Sequence, residues 1–230
     1  MKKLKSLALM TLFVSASLFT SCSSDSGNDD QSSGDLQGDY WPTAVGNQWV
    51  LNQGGAETTM KILSSENIKG ETYFKFDKFL ISSSSPVAGS ASAYIKKVKG
   101  DYFIKLDDIN ITANGFSGKI SGYEFVFFKD YLEANKTWTG TYVQETTYTG
   151  LGTIKTTTKY TGTIVEKGLT VTVKGVSHKD VIRFKLKLET SLEGQSAGST
   201  EAEYWIAKGV GIIKFGFEGT SSELVSYKLN

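Results

Sequence analysis

From Tyr40 to Asn230 the apolar residues recur with a period of two, the spacing of side chains that point alternately to the two faces of a β-strand. In Asp180 to Glu189, Ile182, Phe184, Leu186 and Leu188 alternate with Val181, Arg183, Lys185, Lys187 and Glu189. This predicts a strand with one face on a core and one in water, which belongs to an antiparallel sheet. Thr170 to Lys174 reads the same way. Gly122 to Lys129 differs, because Tyr123, Phe125 and Phe127 fall on one face and Val126 and Phe128 on the other, so both faces are expected to be apolar. No stretch carries a convincing 3.6-residue period.

Glycines punctuate these runs. Lys69-Gly70, Lys99-Gly100 and Lys167-Gly168 each separate two β-rich segments, as expected of hairpin turns whose backbone needs positive φ. Between Thr137 and Thr163 twelve of 27 residues are threonine, with Gly150-Leu151-Gly152 at the middle. That predicts a long hairpin with threonine on its outer face, since threonine favours strands yet accepts solvent. Ser82 to Ser90, which contains Pro86, and Leu192 to Thr200 are expected to be irregular, but the strand texture is the same on both sides of each. The expectation is one all-β antiparallel domain over residues 39–230, of about ten to twelve strands, built as a strongly bent sheet, a half-barrel or a β-sandwich. Tyr131 to Trp138 echoes the opening Tyr40 to Trp49, which suggests two sheet halves each led by a tryptophan.

The first 38 residues have another character. Met1 to Lys5 is cationic, and Ser6 to Thr20 is apolar and uncharged, a secretory signal pattern too short to span a bilayer. It ends at Leu18-Phe19-Thr20-Ser21-Cys22, which resembles the lipobox of bacterial lipoproteins, with Phe19 where an aliphatic residue is usual. The resemblance implies a signal peptide over residues 1–21 and a diacylglycerol on Cys22. Several acyl chains hold a protein on a membrane where one chain does not. Residues 22–38 then form an acidic Ser/Gly-rich tether without the apolar content to fold. Its acidic residues are similar to the export signal of surface lipoproteins in Bacteroidota. The expected location is the outer membrane, more on the cell surface than facing the periplasm.

Composition then narrows the chemistry. Removing Lys2, Lys3 and Lys5 leaves 22 basic against 24 acidic residues, a net charge of −2, which gives no electrostatic case for nucleic acid. One cysteine and one histidine cannot build a four-ligand zinc site, and no metal or other cofactor is expected. His178, at a strand entry, reads as a surface residue. Asp107-Asp108 and Asp29-Asp30 read as solvated turns, because they lack calcium-loop spacing. Glu201 and Glu203 share a strand face but do not single themselves out as a glycosidase pair. Gly209-Val210-Gly211 lacks the third glycine of a dinucleotide loop. No catalytic set can be assembled.

Three segments carry a family resemblance: Tyr40 to Val50 with Val45-Gly46-Asn47-Gln48-Trp49, Gly175 to Ile182, and Glu203 to Lys214 with Trp205-Ile206-Ala207-Lys208-Gly209-Val210-Gly211. Together they resemble a family of Bacteroidota outer-membrane lipoproteins without assigned function, and the closing signature is similar to that of half-barrel lipoproteins. The departures are Thr43-Ala44 in the opening and His178 where an aromatic is usual. The expected function is that of a non-catalytic, lipid-anchored envelope module that binds a glycan, a lipid or an envelope protein. A half-barrel carrier of lipid or another hydrophobic ligand is the alternative, and a glycan-active enzyme the second. Trp41, Trp49, Trp138 and Trp205 are the candidate ligand-binding aromatics, with core packing as the competing role.

Overall fold

The computed structural model describes residues 38–79, 92–113, 116–217 and 219–230. The expected signal segment, Cys22, the tether up to residue 37 and the Ser82 to Ser90 segment lie outside the described residues. Fourteen strands are found among the described residues: β1 (Gln48–Gln53), β2 (Ala56–Ile68), β3 (Glu71–Phe76), β4 (Ala93–Val98), β5 (Asp101–Leu106), β6 (Ile109–Ala113), β7 (Phe116–Ile120), β8 (Tyr123–Lys129), β9 (Thr137–Tyr148), β10 (Gly152–Val173), β11 (Val176–Leu192), β12 (Gln195–Ala207), β13 (Gly211–Phe217) and β14 (Thr220–Lys228). All belong to one antiparallel sheet that is not closed into a barrel, in the order β6-β7-β9-β10-β11-β12-β13-β14-β1-β2-β3-β4-β5-β8. The all-β antiparallel expectation holds, and the count exceeds the expected ten to twelve. The sandwich alternative is not what forms, because one continuous sheet supplies the core.

The order contains two meanders, β9 to β14 and β1 to β5 with β8, joined where β14 pairs with β1 (Trp49 opposite Tyr227). The β6–β7 hairpin leaves the meander of β1 to β5 and β8 and pairs with β9 at the edge of the other. Both meanders begin alike. Gly46 N–H bonds to Ile62 O and Ile62 N–H to Asn47 O, each at 2.9 Å; Asn135 N–H bonds to Ile164 O at 2.7 Å and Ile164 N–H to Lys136 O at 3.0 Å. Gly46 and Asn135 both take positive φ, 93° and 65°, three residues before Trp49 and Trp138. The two tryptophans then exchange partners: Trp49 Nε1 donates to Val210 O (2.6 Å) and Trp138 Nε1 to Val126 O (2.9 Å), each reaching into the other meander.

The β8 end of the strand order packs through its side chains against strands of the other meander. Phe127 on β8 contacts Phe184 on β11 and Tyr204 on β12 at ring-centroid distances of 5.4 and 4.9 Å, so the sheet curls back on itself. Val126, on the same strand, accepts from the Trp138 indole through its carbonyl and donates through its N–H to Tyr160 Oη (3.3 Å). An edge strand with unpaired backbone groups is thereby covered. The two aromatics reach it because each lies over a glycine of the neighbouring strand, Trp138 opposite Gly162 and Tyr160 opposite Gly140. A methyl group added at either glycine would overlap the ring.

A register shift between Tyr102 and Phe103 explains why β8 looks apolar on both faces. The bulge lets Phe127 and Phe128 both reach Phe184, so these neighbours serve one core instead of two faces. Trp41, Trp49, Tyr102, Phe127, Phe128 and Phe184 are fully buried together. The strand pattern that motivated the carrier reading comes from the bulge.

Most of the turn and strand expectations hold, with four corrections. Lys69-Gly70 and Lys99-Gly100 turn with both residues at positive φ (54° and 87°, 50° and 87°), and Tyr148 to Gly152 closes the threonine hairpin. Lys167-Gly168, however, is an irregularity inside β10; the turn comes later, at Lys174-Gly175. Leu192 to Thr200 is largely strand, because pairing with β11 orders residues whose composition looked loose. Val181 is buried, beside a register shift in the β10–β11 ladder, where simple alternation would turn it outward. His178 is buried as well, paired opposite Val171, and burial lowers its pKa below the ordinary 6.5.

Gly162→Ala is expected to displace Trp138 and cost about 1–3 kcal/mol, the range of overpacking in a filled core. Urea unfolding followed by tryptophan fluorescence measures this, and an unchanged midpoint would contradict it. For His178 the folded pKa is depressed, so the unfolded chain binds the proton first and stability falls as pH drops below about 6.5. Between pH 7.5 and 5.5 the native chain should therefore lose stability relative to His178→Gln, as read from paired urea midpoints.

Candidate functional site

Opposite the core, the face of β3, β4, β5 and β8 carries a polar and aromatic layer. It is set by alternation: Phe74, Ile95, Ile104 and Phe125 align in one row on the core side, so Tyr73, Lys96, Phe103 and Glu124 project from the other. Lys96 is the centre, with its side chain only 6% exposed. Its Nζ donates to Glu71 Oε2 (2.6 Å), Tyr73 Oη (2.9 Å) and Glu124 Oε1 (3.1 Å), and lies over the rings of Tyr73 and Phe103. Tyr73 Oη donates in turn to Glu124 Oε2 at 2.6 Å. The ammonium thus has an acceptor for each of its three N–H groups, which a buried lysine requires. Burial works to lower the Lys96 pKa, but the three hydrogen bonds outweigh it and the net shift is upward. The bond from Lys96 holds the Glu71 carboxyl below its usual range.

Beside this cluster opens a cleft of about 720 Å³. Its walls are Ile68, Lys69, Glu71 and Tyr73 from the β2–β3 hairpin, Lys105 to Asp108 at the end of β5 and just beyond it, and Gly122 to Glu124 entering β8. Local chemistry fixes each carboxylate. Asp107 accepts from Tyr94 Oη (2.9 Å) and pairs with Lys105, while burial and that bond push the Tyr94 phenol up to about 12. Asp108 accepts from the Gly122 N–H (2.7 Å) and pairs with Lys119, which together hold its carboxyl below the usual range. Gly122 is required here, because a Cβ would overlap the Leu106 carbonyl. Tyr123 stacks on Tyr142 at 4.1 Å, nearly parallel.

The residues singled out in the sequence lie elsewhere. Trp41 and Trp49 are 0% exposed and Trp138 6%, which leaves no face for a ligand; all three are core. Trp205 is half-buried on the outer face, with Lys214 Nζ 5.5 Å from its ring centroid. Glu201 pairs with Lys185, and Glu203 lies 3.5 Å from the Arg183 Nε. Asp107 and Asp108 lie in the exposed connection between β5 and β6, as expected of solvated turn residues, and each also has a partner at the cleft wall. Among the described residues no group of three or more His, Cys, Asp or Glu side chains could hold a metal ion. Sequence reading missed Glu71, Tyr73, Lys96 and Glu124. The Lys99-Gly100 turn, which sets Lys96 opposite Phe103, was the available signal.

No known family model matches the chain, and no curated protein sequence matches it. Among solved structures it is similar to a candidate lipoprotein from Parabacteroides distasonis, at 11% identity and a TM-score of 0.48, covering 82% of this chain and 98% of that one. A likeness of that degree carries no functional inference.

Lys96→Met is expected to destabilise the domain by about 1–3 kcal/mol, since it leaves Tyr73 and two carboxylates without their shared donor. In a Glu124→Gln background the same substitution should cost less, because the two groups act together. A double-mutant cycle in urea measures the coupling, and strict additivity would show that the cluster is not a unit.

Proposed function

We propose that the protein is a lipid-anchored envelope lipoprotein that acts as a non-catalytic binding module, with its ligand held in the cleft beside Lys96. The observation that carries the binding reading is the pinned set of carboxylates: Glu71, Asp107, Asp108 and Glu124 each have a fixed partner and stand beside the cleft. Preset polar groups in a concave site give orientation to a ligand at low entropic cost. The same arrangement supports a non-catalytic role. Glu71 and Asp108 are held ionised well below neutral pH, which suits an acceptor and not a general acid, and β11 with its buried His178 does not line the cleft.

The anchor reading rests on the sequence from Met1 to Cys22 and on the acidic tether after it. It assigns the protein to the outer membrane, with the folded domain on the cell surface. Metabolic labelling with a palmitate analogue should mark the wild-type chain and not Cys22→Ala. Protease treatment of intact cells should remove the folded domain of the wild-type protein. Labelling that persists in Cys22→Ala would defeat the anchor, and full protection from protease would defeat surface exposure.

A further inference from the structure

We infer that the cleft takes a neutral, polyhydroxylated ligand, a segment of an uncharged glycan; this rests on the reading of the cleft as a binding site. Hydrogen-bonding capacity leads to it. Two N–H groups of Lys96, the hydroxyls of Tyr73 and Tyr94 and the N–H of Gly122 are engaged by carboxylates of the site itself, and the third N–H of Lys96 by the Tyr73 hydroxyl oxygen. Carboxylates accept through two oxygens with several lone pairs, so acceptor capacity is left over, and the ammonium groups of Lys69 and Lys105 in the wall leave some donor capacity beside it. Hydroxyl groups, which donate and accept, meet both.

Charge selects among donor-rich ligands. Four carboxylates, Glu71, Asp107, Asp108 and Glu124, are matched by four lysines: Lys69 and Lys105 in the wall, Lys96 behind it and Lys119 paired to Asp108. The site is therefore close to electroneutral. A polyanion finds no net attraction and is repelled locally by the exposed oxygens. A polyamine gains little from a field already cancelled at short range. Hydroxyl groups donate to ionised carboxylates in short, charge-assisted bonds and need no net field. Ile68 and Leu106 supply apolar lining for the carbon-bound face of a sugar ring. The volume lies within the range of about 300–1,000 Å³ usual for small-ligand sites.

The test uses the full acylated chain in detergent, titrated calorimetrically with neutral glucan, mannan, galactan and xylan, with polygalacturonate as the polyanion and spermine as the cation. Glu124→Gln and Asp108→Asn each remove one carboxylate charge at the cleft, and Lys187→Ala, on an exposed ion pair elsewhere, serves as a control. Melting temperatures confirm folding, and the Asp108→Asn side chain is exposed enough to keep the test valid if Glu124→Gln unfolds. The expected result is binding of at least one neutral polysaccharide, weakened about tenfold or more in the cleft variants, unchanged in the control and insensitive to salt. Binding of spermine or polygalacturonate alone, lost in the same variants, would overturn the ligand class and leave the cleft as a site. Polysaccharide binding that survives both cleft variants, or no binding by any probe, would overturn the cleft reading as well.

Discussion

The domain depends on how the backbone N–H and C=O of one residue, Val126, are satisfied. An antiparallel sheet of this length must end in two edges, and β8 is one of them. Its buried backbone would be costly without partners. Trp138 and Tyr160 supply both a donor and an acceptor to Val126, and the rings that carry these groups also pack against Phe184 and Phe125. One contact therefore satisfies the edge and seals the core. The demand passes outward to Gly140 and Gly162, whose lack of a side chain makes room for the rings. Both have ordinary φ, so the requirement is steric.

Closing the core from one side of β3, β4, β5 and β8 leaves the other side of these strands free for a second layer. Lys96 and its partners occupy it. Buried ion pairs are weak sources of stability, and apolar side chains of similar volume often serve as well. The cluster does something apolar residues could not do, since it fixes the directions of carboxylate oxygens at the cleft. The polar site and the aromatic closure are thus two faces of the same strands, with Phe125 in one and Glu124 in the other.

How far the sequence was legible follows from which forces act locally. Strand period, the turns at Lys69-Gly70 and Lys99-Gly100 and the threonine hairpin are set by neighbours along the chain, and all three were readable. The tryptophan echo was readable too, and its meaning lies in the matching bonds of Ile62 and Ile164. Bulges were not, because they depend on the partner strand; Phe127, Phe128, Val181 and Lys167-Gly168 were misread for that single reason. The cleft escaped because it draws on β2–β3, β5 and β8, which lie apart in sequence and are joined only by the ladder. Tryptophans attract attention as ligand platforms, yet three of the four are core here.

The exchange of indoles between Trp49 and Val210, and between Trp138 and Val126, has a bearing on cooperativity. Each meander begins with a tryptophan seated in the other, and the backbone of Asn230 bonds to Asn47 across 183 positions. Neither half can complete its interior alone, despite their similar beginnings. A chain with this wiring unfolds as one unit, and its folding rate is limited by joining segments far apart in sequence.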